Sequence, residues 1–298
     1  MRVAITGSSG LIGTALRASF VADGHEVLRL VRRPVQAADE ISWDPAAGRI
    51  DPAAMEGVEA VVNLAGAGTG DHRWTRSYKR TIRDSRVMAT TTLVGALVQL
   101  QDRPRVLVSQ SGIDVYGVGH GSDIIDEDEP PGAGSFLAGV AWDWEVAAMP
   151  AAAADIAVCH TRTGIVMSRN GGALAEMLPL FRRGLGGPLA GGEQYWSHVS
   201  LDDSVGALRF LTETHGCSGP YNVTSPAPVT NAEFTRVLAK ALHRPAVLPV
   251  PEFALRIVLG ESVDRVINSL RVIPARLVDA GFQHRHPDAP SVVAAAIR

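Results

Sequence analysis

Apolar positions in the first half of the chain fall in short runs separated by longer, helix-spaced patterns. RVAIT (2–6), EVLRLV (26–31) and EAVVNLAG (59–66) are compact, rich in branched residues and bounded by glycine or charge, as buried strands are. ISW (41–43) fits a shorter strand, and RVLVSQSG (105–112) and DIAVCHTRTG (155–164) fit two more. Between them, residues 11–24, 73–100 and 137–149 carry the spacing of helices. Strands alternating with helices predict an α/β fold built on a doubly wound parallel sheet.

The pattern loosens after residue 164. The glycine-rich RRGLGGPLAGG (182–192) reads as a loop, and HVSLDDSVGALRFLTE (198–213) as a return to the main sheet followed by a helix capped by an Asp. Residues 231–243 and 253–260 read as helices with the proline-rich LPVPE (248–252) between them, and the apolar positions of 263–273 read as packing. The expected organisation is a nucleotide-binding domain over 1–168, with 197–224 returning to it. A smaller, mainly helical C-terminal substrate lobe takes 169–196 and 225–298.

Charge and composition remove several function classes. A net charge of −3 with no basic tract leaves no footprint for nucleic acid. No apolar run approaches membrane-spanning length, and MRVAITGSSGLIG lacks the architecture of a signal peptide, so a cytoplasmic protein with no membrane partner is expected. Cys159 and Cys217 do not form a C-x-x-C pair and read as buried thiols. The histidines offer no ligand spacing, so no metal site is expected.

The chemistry-bearing motif is TGSSGLIG (6–13), a G-x-x-G-x-x-G loop between a strand and a helix. Gly7 permits the tight turn, Gly10 lets main chain approach a pyrophosphate, and Gly13 lets helix pack on strand. Ser9, Leu11 and Ile12 complete the cradle at the helix N-terminus, where N–H groups and the helix dipole favour anions. This is the dinucleotide-binding signature of a Rossmann-type domain. The second strand ends in Arg32-Arg33 rather than in the acid that takes a ribose 2′-hydroxyl, which points to a 2′-phosphate and hence to NADP(H). Asp44 has two readings, an acceptor for the adenine amino group or a turn cap. Leu64, Ala65 and Gly66 end the fourth strand with residues that let a ribose or diphosphate pass closely.

TGSSGLIG, NLAG and SGIDVYG resemble the extended short-chain dehydrogenases/reductases, the group that contains sugar-nucleotide epimerases and dehydratases. WDPAAGRID (43–51), RWT (73–75), SRVMATTTL (85–93), RTGIV (162–166) and YNVTSPAPVTNAEF (221–234) resemble more closely an atypical, epimerase-like branch of that family. The likeness runs from residue 2 to about 290. It implies NADP(H) in a Rossmann-type domain, a small lobe closing over a small-molecule substrate, and a homodimer built on helices flanking the sheet. In active relatives a Tyr and a Lys spaced Y-x-x-x-K, helped by a Ser or Thr, carry the protons. Aligned on Glu145, those positions hold Leu137 and Ala141 here, and the hydroxyl position falls on Gly112.

Other groups near the expected nicotinamide are therefore the candidates. Ser109 and Ser111 lie at the tip of the fifth strand, with Asp114 and Tyr116 in the loop behind it; Ser111 and Tyr116 are the candidate catalytic residues and Ser109 a cofactor contact. Arg86, sharing a helix face with Arg83, and Arg162 are candidates for an anionic substrate, although a solvated face and a carboxylate partner in the fold explain them as well. The residues thus leave two functions open: an NADP(H)-dependent, epimerase-like oxidoreductase, or a non-catalytic NADP(H)-binding sensor or partner-binding protein.

Overall fold

A computed structural model describes residues 1–298. The first half runs β1 (Arg2–Thr6), α1 (Leu11–Ala22), β2 (Glu26–Val31), β3 (Glu40–Asp44), β4 (Arg49–Ile50), β5 (Ala60–Asn63) and α2 (Arg76–Leu97). It continues through β6 (Val106–Gly112), β7 (Ile124–Ile125), α3 (Phe136–Ala152) and β8 (Ala157–Thr163). Then come β9 (Ile165–Met167), α4 (Gly172–Arg182), β10 (Tyr195–Trp196), β11 (His198–Ser200), α5 (Leu201–Glu213) and β12 (Gly219–Val223). The chain closes with β13 (Val229–Thr230), α6 (Asn231–Ala241), α7 (Glu252–Leu259), α8 (Asp264–Ile267), β14 (Arg271–Val272), α9 (Ala275–Asp279) and α10 (Ala289–Ile297).

Eight strands form one sheet in the order β12-β8-β6-β5-β1-β2-β3-β4, parallel throughout except for the β3–β4 ladder at its edge. This is the Rossmann-type doubly wound sheet. Both faces are covered, which is why the centres of these strands, Val3-Ala4-Ile5 and Ala60-Val61-Val62, are continuously apolar. On one face Val3, Ile5, Val62 and Val108 pack with Leu16 and Phe20 of α1 and with Val205, Leu208 and Leu211 of α5. On the other, Ala4, Val61 and Leu107 meet Leu93 and Leu97 of α2 and Ala148 of α3. The one-residue offset between the two sets is the pleat of the strands.

A further apolar cluster lies outside the sheet, where Leu174, Leu178 and Phe181 of α4, Phe234 and Leu238 of α6, and Val292 and Val293 of α10 surround Trp196. Two-residue and three-residue ladders stitch this part together. The stretch expected to return to the main sheet divides. His198–Ser200 instead pairs with β9, α5 packs on the large sheet, and β12 completes its edge. The cap of α5 is Ser200, whose Oγ accepts from the Asp203 N–H; the Asp203 carboxylate accepts from the main chain of Arg285 and His286. Cys159 and Cys217 are buried free thiols. No helix is long and apolar enough to cross a membrane.

Candidate functional site

The strand-to-helix turn after β1 has the shape its glycines require. Gly7 sits at φ +63°, and a Cβ there would stand 2.6 Å from the Leu64 carbonyl oxygen. A Cβ on Gly13 would stand 2.8 Å from Ser8 Cα and collide with the Gly7 carbonyl. Gly10 begins α1, and no side chain caps the helix, so the N–H groups of Leu11, Ile12 and Gly13 open toward the carboxyl edge of the sheet. Exposed Ser9 adds a hydroxyl with no protein partner. A buried hydroxyl fixes the neighbouring tip: Thr6 Oγ1 accepts from the N–H of Leu64 (3.0 Å) and of Ala65 (3.1 Å) and donates to Asn63 Oδ1. Leu64, Ala65 and Gly66 are thereby held beside the glycine loop, with Gly66 exposed.

The two arginines after β2 differ. Arg33 donates to both oxygens of the buried Glu40 carboxylate (2.8 and 2.6 Å), which Arg29 also contacts. The Arg33 hydrogen bonds hold the Glu40 carboxyl down at about 2. Arg32 is exposed and free of such partners, so of the pair it is the one available to an anion. Asp44 takes the turn-cap alternative, accepting from the Ala47 N–H (3.2 Å) and pairing with Arg49 (2.9 Å).

At β6 the sequence-based assignments need correction. Ser109 is fully buried and its Oγ accepts from Asn63, whose amide also donates to Thr90, so it is a core hydroxyl rather than a cofactor contact. Ser111 donates to Glu145 Oε1 (2.8 Å), and Glu145 accepts twice from Arg162 (2.9 and 3.0 Å). All three are buried, with Arg162 Nη1 left without a partner, so Ser111 and Arg162 are engaged inside the protein rather than presented at its surface. Burial alone would lower the Arg162 pKa, but Glu145 turns the shift upward, so the guanidinium stays charged. Tyr116 is 1% exposed and donates to Asn222 Oδ1 (2.6 Å); burial pushes its phenol up to about 12, and it cannot exchange protons with a ligand.

Buried Ser, Glu, Arg and Tyr satisfying one another are a structural clasp. The signal that announces it is Glu145 itself, an acid on the buried side of the apolar helix FLAGVAWDWEVAA, which demands an equally buried cation. α3 contains neither Tyr nor Lys. Leu137 and Ala141 are both buried, Ala141 among Ile113, Tyr116 and Val272.

A cleft opens beside these residues, lined by Trp74, Asp114, Ser135, Phe136, Leu137, Asp264, Arg265 and Asn268. Its walls come from the segment before α2, the tip of β6, the start of α3, and α8 beyond the sheet. Arg86 connects it to the cofactor side: its side chain lies against Gly66 while Nη1 donates to the Ala67 and Ile82 carbonyls. Burial lowers the Arg86 guanidinium to about 10, and Asp114 opposes that shift. Arg83, its neighbour on α2, pairs at the surface with Asp143 (2.7 Å). Sequence reasoning missed Arg265, which lies on a four-residue helix without a motif.

Comparison with known proteins bears on the family. Residues 3–224 match the model of the NAD dependent epimerase/dehydratase family, and 250–296 match a domain of unknown function. An epimerase family protein of Mycobacterium leprae is 44% identical over 285 residues, 95% of this chain and 92% of its own. The structure of human epimerase family protein SDR39U1 with NADPH matches with a TM-score of 0.90 and 31% identity, covering 99% of both chains. A nucleoside-diphosphate sugar epimerase from Corynebacterium glutamicum matches with a TM-score of 0.81 and 30% identity; this chain covers 58% of that one. With three-quarters of its length under one family model and full-length relatives on either side, the chain belongs to the NAD-dependent epimerase/dehydratase family.

Proposed function

We propose that the protein is an NADP(H)-dependent, epimerase-like oxidoreductase that acts on a small polar, anionic substrate in the cytoplasm. The observation that carries this reading is the uncapped N-terminus of α1 beside an unpaired Arg32. The N–H groups of Leu11, Ile12 and Gly13 hold the pyrophosphate, and the Gly7–Gly13 turn leaves room for it because a Cβ at either glycine would fill that space. Arg32 takes the 2′-phosphate, with Arg33 held aside by Glu40. Leu64, Ala65 and Gly66 form the floor under the nucleotide. NADP(H) held by these residues would supply or accept hydride, and Leu137 and Asp114 line the cleft nearby. The NADPH present in the human relative supports the same choice of cofactor.

The second reading, a non-catalytic NADP(H)-binding protein, draws on one observation: α3 presents Leu137 and Ala141 where a proton-transfer pair is expected. Calorimetric titration with NADPH and NADH addresses the cofactor that both readings share. NADPH is expected to bind more tightly, and Arg32→Asp to weaken NADPH selectively by about tenfold or more, equivalent to about 1.4 kcal/mol. Absence of binding by either nucleotide would sink both readings.

A further inference from the structure

The polar groups at the end of β6 have been accounted for with one exception. Ser109, Ser111 and Tyr116 are engaged inside the protein, and the Ser135 hydroxyl oxygen caps α3 by accepting from the Ala138 N–H (3.1 Å). Asp114 is different. It follows β6 in the short turn Ile113–Tyr116, and its carboxylate takes no hydrogen bond from another residue and no ion pair within 4.0 Å. It lies against Gly112, where a Cβ would stand 3.3 Å from Oδ2, so the carboxylate fills the space that a side chain at 112 would use. It also lines the cleft together with Leu137.

Two cations face it. Arg86 approaches from α2 and Arg265 from α8, each acting on Asp114 through its charge without closing a salt bridge. Arg265 Nε is buried without a partner, and Nη1 makes only a long contact to Thr69 Oγ1 (3.3 Å). An unpartnered buried guanidinium N–H beside an unpaired carboxylate is costly unless something completes both. In its present shape the cleft floor has room for about one water, so an occupant displaces water and meets Asp114 and Arg265.

We propose that Asp114 is the acid–base residue of this cleft, and that Arg265, backed by Arg86, binds the anionic group of a carbonyl- or hydroxyl-bearing substrate. This deepens the oxidoreductase reading and rests on it. Reduction of the substrate carbonyl opens its C=O π bond, with hydride from NADPH forming the C–H bond and the proton of Asp114 forming the O–H bond; the Asp114 O–H bond breaks and the carboxylate left behind regains a proton from water. In the oxidative direction the carboxylate takes the hydroxyl proton and passes it to solvent. Burial raises the Asp114 carboxyl above the usual carboxylate range, against the lowering pull of Arg265 and Arg86, which favours a group that holds and releases a proton. The other titratable group on the cleft wall is Asp264; α3 contributes only Ser135, Phe136 and Leu137.

The test titrates NADPH-saturated protein with pyruvate and 2-oxoglutarate as carboxylate probes and dihydroxyacetone phosphate as a phosphate probe. Each titration is run in two buffers of different ionisation enthalpy, at about pH 6 and about pH 9. At least one probe class is expected to bind, and the class that binds identifies the anion. Binding brings a negative charge to Asp114, which favours its protonated form, so proton uptake should accompany binding at one of the two pH values at least. Asp114→Asn should bind without that uptake, Asp114→Glu should restore it, and Arg265→Met should weaken binding at least tenfold.

Proton uptake unchanged in Asp114→Asn would overturn the acid–base assignment, and undiminished binding in Arg265→Met the anion site. Failure of every probe to bind protein that does bind NADPH would overturn this proposal while leaving the cofactor reading intact. Failure to bind NADPH would count against both. Should Asp114→Asn not fold, the wild-type proton count between the two pH values decides alone: no uptake at either overturns the assignment.

Discussion

The tips of β1 and β6 lie at the same edge of one sheet and treat their polar groups in opposite ways. After β1, three N–H groups at the start of α1 are left without partners and the serine among them faces solvent. After β6, Ser111 and Arg162 bond Glu145 and Tyr116 bonds Asn222 out of reach of water, with Arg162 Nη1 alone left without a partner. Polar residues at a strand end therefore do not make a site by being there. What separates a ligand surface from a clasp is whether the fold has left the groups incomplete. By that measure the first tip is the candidate ligand surface, and at the second Asp114 is the incomplete group that the cleft exposes.

The contrast breaks most visibly if the clasp is opened from one side. Arg162→Met leaves the Glu145 carboxylate buried and unpaired and should cost about 3–5 kcal/mol in urea unfolding, whereas Glu145→Leu combined with Arg162→Met should recover most of it. A single variant as stable as wild type would mean the cluster is not a clasp. Ser111→Ala removes one hydrogen bond to that carboxylate and should cost roughly 1.5–3 kcal/mol while leaving NADPH affinity unchanged. Altered affinity would return Ser111 to the site.

At the other tip, Gly13→Ala drives a methyl group into the Gly7 carbonyl, so NADPH affinity should fall at least tenfold, or about 1.4 kcal/mol, in the same calorimetric assay. The smallest effect concerns Glu40. Its carboxyl is depressed to about 2 in the folded protein, so its stabilising contribution is complete above the ordinary carboxylate range near 4.5 and fades as pH falls toward 2. Thermal melts of Glu40→Gln against wild type should converge as pH drops through that window. A constant gap would show that Arg33 does not depend on the ionised acid.

The fold was largely legible because the α/β alternation and the glycine loop are local patterns. Strands β1, β2, β5, β6 and β8 and the helices between them lie where the apolar spacing puts them. His198–Ser200 was misplaced because an apolar triplet does not say which strand it pairs with; β9, thirty-odd residues upstream, does. On the cofactor side the expectation rests on an equally local pattern, apart from the choice between Arg32 and Arg33, which depends on Glu40 beyond the next loop. The catalytic side depends on long-range partners. Ser111 meets Glu145 34 positions later, and Tyr116 meets Asn222 106 positions later. Spacing of residue types cannot carry that information.

The bond from Tyr116 to Asn222 has a further consequence for how the molecule is made. β7 pairs with β14, and Glu127, just after β7, accepts from the main chain of both Asn222 and Arg276. At the usual pace of ribosomes, about 5–20 residues per second, several seconds separate the emergence of this corner from that of the segments that close it. Until then the nascent chain carries an open polar seam in the middle of its largest sheet. The last eighty residues therefore finish what the first hundred and thirty begin, through Asn222, Val272 and Arg276 closing on Tyr116, β7 and Glu127.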